Sequence, residues 1–241
     1  MKYKLRHYLN IEEEKNINIL VGRIYHKILG LFFEPGDKKE KILSWKRLER
    51  IIRSVFGEND FEFEYMKREL LEKAVGDFKN YYENYLPLQP HKSIMEKKFL
   101  FNIDRETIKG RIDQINFIDN SHEDGGQQIE IVEFKSGSTR LNKAGIEEEM
   151  QLKLYRLAIE LSKDLSFLKS KNYILKYIFL GALKNPISEI TEENYDLRQF
   201  SKLILNLITK IRKEEFAPNP ESYISCMNCN YKILCTKYYG G

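Results

Sequence analysis

A chain of 241 residues is long enough for one large domain or two small ones with a substantial buried core. Hydrophobic residues at 42% and charged residues at 32% describe an ordinary soluble globular protein, and no apolar run reaches the roughly 20 residues that cross a bilayer. Forty Lys and Arg against thirty-six Asp and Glu leave only +4, so net charge alone does not call for a polyanionic partner, and any basic surface must be local.

The opening MKYKLRHYLNIEEEKN lacks the apolar centre and cleavage site of a secretory signal, which points to the cytoplasm and away from a membrane. From Ile17 to Phe33, the residues Ile17, Leu20, Val21, Ile24, Ile28, Leu29 and Phe32 recur at helical spacing. EPGD, with Pro35 and Gly36, stops that run. Residues 38–86 read as two or three helices, and Pro87 and Pro90 mark a change of texture. KKFLFNI, TIKGRIDQINFI and QIEIVEFK then read as strands, separated by an Asp/Arg turn and by the loop NSHEDGGQ. Residues 146–163 return to helix, and YILKYIFLGAL is a strongly apolar strand. Residues 191–213 form a further helix with Thr191 as its N-cap. FAPNPESY breaks regularity before a cysteine-bearing tail. The order predicts a helix-rich α/β fold: a helical region over 17–90, a sheet core over 95–185, and a C-terminal helix and tail over 191–241.

Within IVEFKSG, Ile131, Val132 and Phe134 read as buried strand, yet Glu133 and Lys135 lie among them. Charged residues are seldom buried unless they are paired or hold a metal. Side chains two apart share a strand face, so Glu133 and Lys135 point the same way. A hairpin around NSHEDGGQ with its register centred near Glu123 places Asp113 opposite Glu133, with Cβ atoms about 4.5–5.5 Å apart. Two carboxylates that close raise one pKa unless a cation neutralises them. Oxygen ligands suit a hard divalent ion such as magnesium or manganese, and Lys135 adds a charge able to stabilise an oxyanion or orient a water. These are the parts of a phosphodiester hydrolase. A surface ion pair explains the bare Glu-x-Lys spacing as well; the apolar flanks and the aligned Asp113 weigh against it.

GRIDQINFID followed by IVEFKSG resembles the Asp and Glu-x-Lys motifs of the PD-(D/E)XK nuclease superfamily, in the manner of its RecB-type branch, which includes AddB nuclease domains and CRISPR-associated iron–sulfur exonucleases. Ile112 stands where the superfamily's name has proline. GRIYHKIL resembles the branch's helical motif with a metal-binding histidine, here His26, and QLKLYRLAIE resembles its Gln-x-x-x-Tyr motif, here Gln151 and Tyr155. The matches run from about Lys4 to Cys235, in the branch's order. The resemblance implies one nuclease domain over 1–241 with a restriction-endonuclease-like core, a central mixed β-sheet flanked by helices. It also implies that His26, Asp113, Glu133 and the backbone carbonyl of Phe134 hold Mg2+ or Mn2+. Lys135 would assist the attacking water, and Gln151 and Tyr155 would position DNA or the lysine. Read from the residues alone, His26 is equally a core histidine, and Gln151 with Tyr155 equally an amphipathic helix face. Glu96, in MEKKFLF, is an accessory acid or a solvated charge at a strand start.

SCMNCNYKILC spaces Cys226, Cys229 and Cys235 as C-x2-C-x5-C, an odd cluster unlike a secreted disulfide framework. In the iron–sulfur members that the chain resembles, such a trio joins an upstream cysteine around a [4Fe-4S] cluster that ties the chain ends together. This sequence has no upstream cysteine. A cluster in a longer form of the chain, a zinc site with another ligand, and free thiols all remain open. The expected function is a metal-dependent deoxyribonuclease, an exonuclease on single strands or DNA ends in repair, recombination or CRISPR-type processing. Arg111, Arg140 and Lys143 are candidate DNA contacts, and a helicase or larger parent polypeptide is a candidate partner. The alternative is a non-catalytic DNA-binding or scaffold module beside a helicase; a metalloenzyme on a small phosphate ester lacks any nucleotide-pocket motif.

Overall fold

In the computed structural model, residues 3–11, 17–34, 43–86, 92–119, 127–138, 150–169, 172–190, 196–216, 229 and 231–235 are described. Helix α1 (Ile17–Phe33) spans the predicted run and buries the stripe Ile24, Ile28, Leu29 and Phe32. Two helices follow where two or three were expected: α2 (Trp45–Gly57) and α3 (Glu64–Asn84). Ser44 caps α2, its hydroxyl accepting from the Arg47 amide at 3.3 Å, which satisfies one of the free N–H groups of the first turn. Leu48, Ile52, Val55 and Phe56 of α2 and Ala74, Phe78 and Tyr81 of α3 close around the α1 stripe. Tyr25 donates a 2.7 Å hydrogen bond to the buried Asp77, so a polar bond across the helical layer fixes how α1 is rotated.

Five strands form one sheet in the order β1-β2-β3-β4-β5. They are β1 (Lys92–Ile103), β2 (Glu106–Asp119), β3 (Gln127–Lys135), β4 (Asn172–Phe179) and β5 (Ile187–Ile190). β1, β2 and β3 pair antiparallel, β3 and β4 parallel, and β4 and β5 antiparallel. The sheet is therefore mixed and the chain α/β, as a restriction-endonuclease-like core requires. A parallel pair needs a long crossover, and here it contains α4 (Gln151–Leu161) and a 3-10 turn (Lys163–Leu168). Val132, Phe134 and Ile178 join the core beneath α1, α2 and α3, while α4 packs on β1 and β3.

The hairpin register is the expected one: Ile115 faces Ile131 and Gln114 faces Val132, which puts Asp113 against Glu133. Strand β5 extends the sheet to Ile190, beyond the predicted limit of 185. The last helix, α5 (Leu197–Arg212), is capped by Asp196, whose Oδ1 accepts from the Arg198 amide at 2.7 Å. Thr191, expected as the cap, lies outside the described residues, as do residues 146–149 of the expected α4 start. No helix among the described residues is long and apolar enough to cross a membrane.

Contacts divide the chain into two units, residues 19–200 and residues 1–18 with 201–241. In the second unit, Tyr231 donates to the Ile11 carbonyl at 2.8 Å and Tyr8 to that of Ile211 at 3.3 Å. The Tyr3 and Tyr8 rings meet Phe216 at 5.6 and 4.9 Å. Opposite ends of the chain are thus held together by direct bonds. Cys229 and Cys235 of this unit are half-buried thiols; Cys226 lies outside the described residues.

Gly110 of β2 is required by close approach, because a Cβ there would lie 2.4 Å from Cζ of Phe99. The Phe99 ring lies over it and meets Tyr155 edge-on at 6.0 Å. Gly110→Ala is therefore expected to displace a buried ring and to lower stability by about 1–3 kcal/mol, read as a lower urea midpoint. An unchanged midpoint would show that Phe99 moves aside freely.

Candidate active site

Asp113 occupies the place where both of its neighbouring ladders lapse. The β2–β3 ladder ends at Gln114 and Val132. At the next step the Phe134 amide donates instead to Oδ2 of Asp113, at 3.0 Å. On the other side the ladder steps from Met95–Gln114 to Lys97–Ile112, passing over Glu96. Glu96 has a positive φ of 55°, a conformation that L residues adopt rarely and that tends to accompany functional sites.

Asp113 and Glu133 are only 5% and 3% exposed, so two carboxylates share a nearly dry site. His26 reaches them from α1, its Nδ1 3.4 Å from Oδ1 of Asp113. One face of α1 carries Gly22, His26 and Gly30 at four-residue intervals. A Cβ at Gly22 would lie 3.7 Å from Ser136 Oγ and one at Gly30 3.8 Å from Glu96 Cγ. The helix thus crosses β3, β2 and β1 in turn, with the imidazole over the middle one. Donor atoms of His26, Asp113 and Glu133 all lie within 4.8 Å of one another.

A closed ring of hydrogen bonds supports Glu133. Tyr155 donates to Oε2 at 2.8 Å, and Lys135 Nζ to Oε1 at 3.1 Å. Lys135 also donates to Gln151 Oε1 at 2.7 Å, and Gln151 Nε2 to the Tyr155 hydroxyl at 2.9 Å. The spacing of four on α4 is what lets Gln151 and Tyr155 close this ring. The Phe134 side chain points away, buried beneath the helices with its ring edge-on to Tyr81.

Burial, with the charge of Asp113 beside it, pushes the Glu133 carboxyl up to about 7, and Lys135 offsets only part of this. Burial works the same way on Asp113, but the hydrogen bond and charge of His26, helped by the Phe134 amide, hold it below its ordinary value. For His26, burial disfavours the charged ring, yet the hydrogen bond and charge of Asp113 prevail and raise its pKa. Burial drives the Tyr155 hydroxyl upward, so it serves as a donor rather than an acid.

These residues suit a divalent ion. Two oxygen donors and one imidazole converge, and a carboxyl that burial and a neighbouring carboxylate keep partly protonated near pH 7 marks a pair only partly offset by Lys135. The motif residues His26, Asp113, Glu133, Lys135, Gln151 and Tyr155 are all brought together. Arg111 lies at the same site but is ion-paired with Glu96, whose own pKa is raised by burial against the pull of that arginine. Arg140 and Lys143 lie outside the described residues. A groove of about 720 Å³ opens over the triad, lined further by Arg23, Lys27, Leu31 and Glu34. Arg23 and Lys27 escaped the sequence reading; Arg23 stands three residues before His26 in GRIYHKIL, where a shared face could have been inferred, and Lys27 directly follows His26.

No protein of curated function matches the chain in sequence. Among solved structures, that of SSO0001 is 18% identical, covers 98% of this chain and 94% of its own, and has a TM-score of 0.36. That of a candidate exonuclease from Eubacterium rectale is 12% identical, covers 94% of this chain and 79% of its own, and has a TM-score of 0.49. A model of the PD-(D/E)XK nuclease superfamily matches residues 1–236. With that match over nearly its whole length, and with Asp113, Glu133 and Lys135 meeting on one mixed sheet, the chain belongs to the PD-(D/E)XK nuclease superfamily.

Proposed function

We propose that the protein is a metal-dependent deoxyribonuclease of the RecB-type branch, acting as an exonuclease on single strands or DNA ends, with the whole chain 1–241 as one nuclease domain. The observation that carries the reading is the convergence of His26, Asp113 and Glu133 within 4.8 Å beside Lys135. These three side chains, with the Phe134 carbonyl, would hold Mg2+ or Mn2+. When bound, the ion acidifies a water and neutralises charge on the scissile phosphate.

The protein's own groups do the rest. Asp113 is fixed by the Phe134 amide, so its carboxylate stays oriented before any ligand arrives. Lys135 is held by Glu133 and Gln151, which keeps its ammonium at the edge of the site, where it orients the attacking water and offsets charge developing on the phosphoryl oxygens. Gln151 and Tyr155 serve as positioning residues for that lysine. Repair, recombination or CRISPR-type processing in the cytoplasm, alone or with a helicase or a parent polypeptide, fits such an activity. A [4Fe-4S] cluster at Cys226, Cys229 and Cys235, completed by a further ligand in a longer form, would reinforce a junction that Tyr231 and Ile11 already make. The second reading, a DNA-binding scaffold without catalysis, fits an intact triad and lysine less well.

With labelled single-stranded DNA and Mn2+, the unaltered protein is expected to cleave, and Asp113→Ala and Lys135→Ala to lose at least about 100-fold in rate. Binding without cleavage by the unaltered, folded protein would favour the scaffold. Metal affinity should also depend on pH. Below about pH 7 Glu133, with its pKa raised to about 7, and His26, also raised, retain protons that an ion must displace. Mn2+ affinity measured by calorimetry should therefore strengthen as pH rises from about 6 to about 8. A flat profile over that interval would contradict ligation by these two groups.

A further inference from the structure

The groove over the triad is lined by charges of both signs, and most of them are matched. Lys27 bonds Glu58 at 2.7 Å. Arg111 pairs with Glu96. Among the described residues, two groove charges have no such partner: the guanidinium of Arg23 and the carboxylate of Glu34. Arg23 lies near the middle of α1 and Glu34 just past its C-terminus, about 16 Å apart along the axis at about 1.5 Å per residue. Arg23 stands three residues before His26, a spacing that makes side chains neighbours on a helix. Glu34 stands beyond Gly30 and Leu31, on the side where Glu96 and Arg111 neutralise each other.

A polyanionic strand crossing this groove meets an unmatched cation on one side of the triad and an unmatched anion on the other. Resting on the nuclease reading above, we propose that Arg23 is a substrate-positioning residue: it binds the phosphate next to the scissile one. The nucleic acid leaves the site on the Arg23 side of His26, away from the Glu34 carboxylate. A guanidinium suits this role because its fork meets two phosphate oxygens at once and remains charged at any working pH. The arrangement gives the strand a direction across the metal triad. A strand terminus at the acidic end then needs no charge contact, which accommodates cleavage from an end.

Binding can be read apart from cleavage. In an Asp113→Ala background without divalent ions, the affinity for a fluorescent single-stranded oligonucleotide is measured across a salt series. Adding Arg23→Gln should weaken binding by about 5- to 20-fold and reduce the slope of log K against log salt by about 0.7, the value of one single-strand phosphate contact. Arg23→Lys should restore the slope. In the otherwise unaltered enzyme, Arg23→Gln should raise KM far more than it lowers kcat. A neutral methylphosphonate beside the scissile position should weaken binding to the arginine form and leave the glutamine form unaffected. An unchanged salt slope, or a methylphosphonate effect of equal size in both forms, overturns the assignment of Arg23. Failure of the nuclease reading looks different, since the protein with Arg23 intact would then bind the oligonucleotide and leave it uncut with Mn2+.

Discussion

Two carboxylates forced together in a nearly dry site govern the rest of this structure. Asp113 and Glu133 are each almost fully buried, on adjacent strands, in a register that makes them face each other. Burying one uncompensated charge is already costly, and two of like sign cannot both ionise without a partner. The protein divides the problem unequally. Asp113 receives His26 and the Phe134 amide and stays ionised; Glu133 receives a lysine it must share and is pushed up to about 7. The pair is electrostatically incomplete near neutrality, a condition that a divalent ion relieves and a proton relieves less well.

The surrounding fold holds this pair in place from several directions. The Tyr25–Asp77 bond fixes the rotation of α1 and so aims the next residue, His26, at the sheet. Gly22 and Gly30 flank that histidine and keep bulk away from the strands on either side. From α4, Tyr155 reaches Glu133, and its ring is met edge-on by Phe99, itself seated over Gly110. The left-handed Glu96 sits in the strand opposite Asp113, where it turns its carboxylate towards Arg111 and leaves β2 without a ladder partner at the critical residue. Strain here accompanies an opened ladder, and the opened ladder leaves the Asp113 carboxylate free to face His26 and Glu133.

Much of this was legible because strand alternation is a strictly local rule. The two-residue period put Glu133 and Lys135 on one face, and a hairpin taken as centred near Glu123 put Asp113 opposite, a register that the pairing of Gln114 with Val132 matches. The apolar stripe from Ile17 to Phe33 likewise gave α1 its full extent. What escaped depended on which charges meet from distant segments. Arg111, named from the sequence as a candidate DNA contact, is also ion-paired with Glu96 of another strand, a pairing the sequence did not show. Nothing in the sequence singled out Arg23, since a helical pattern does not say which neighbours lack a countercharge. The four-residue strand β5 was too short to carry a period, and the cap of α5 came from Asp196, where Thr191 had been expected.

Strand β3 also shows why a buried charge is not by itself a sign of chemistry. On its other face Glu130 is as buried as the acids of the site, at 6% exposure, and Asn116 is fully enclosed beside it. There Lys176 bonds Glu130 directly and also lies 3.3 Å from Glu189, while Asn116 donates to Glu130 at 3.2 Å and accepts from Gln114 at 2.9 Å. Burial disfavours the Lys176 ammonium, yet Glu130 and Glu189 more than compensate and raise its pKa. That cluster supplies its own countercharge, and it reads as a structural network that fixes strand register. Across the same strand, Lys135 is divided between Glu133 and Gln151, while the second carboxylate, Asp113, is held by the Phe134 amide and His26. One face of the strand is electrostatically closed and the other is left short of positive charge. The deficit lies where α1 opens a groove, so a divalent ion would have both a place to bind and a route by which to arrive.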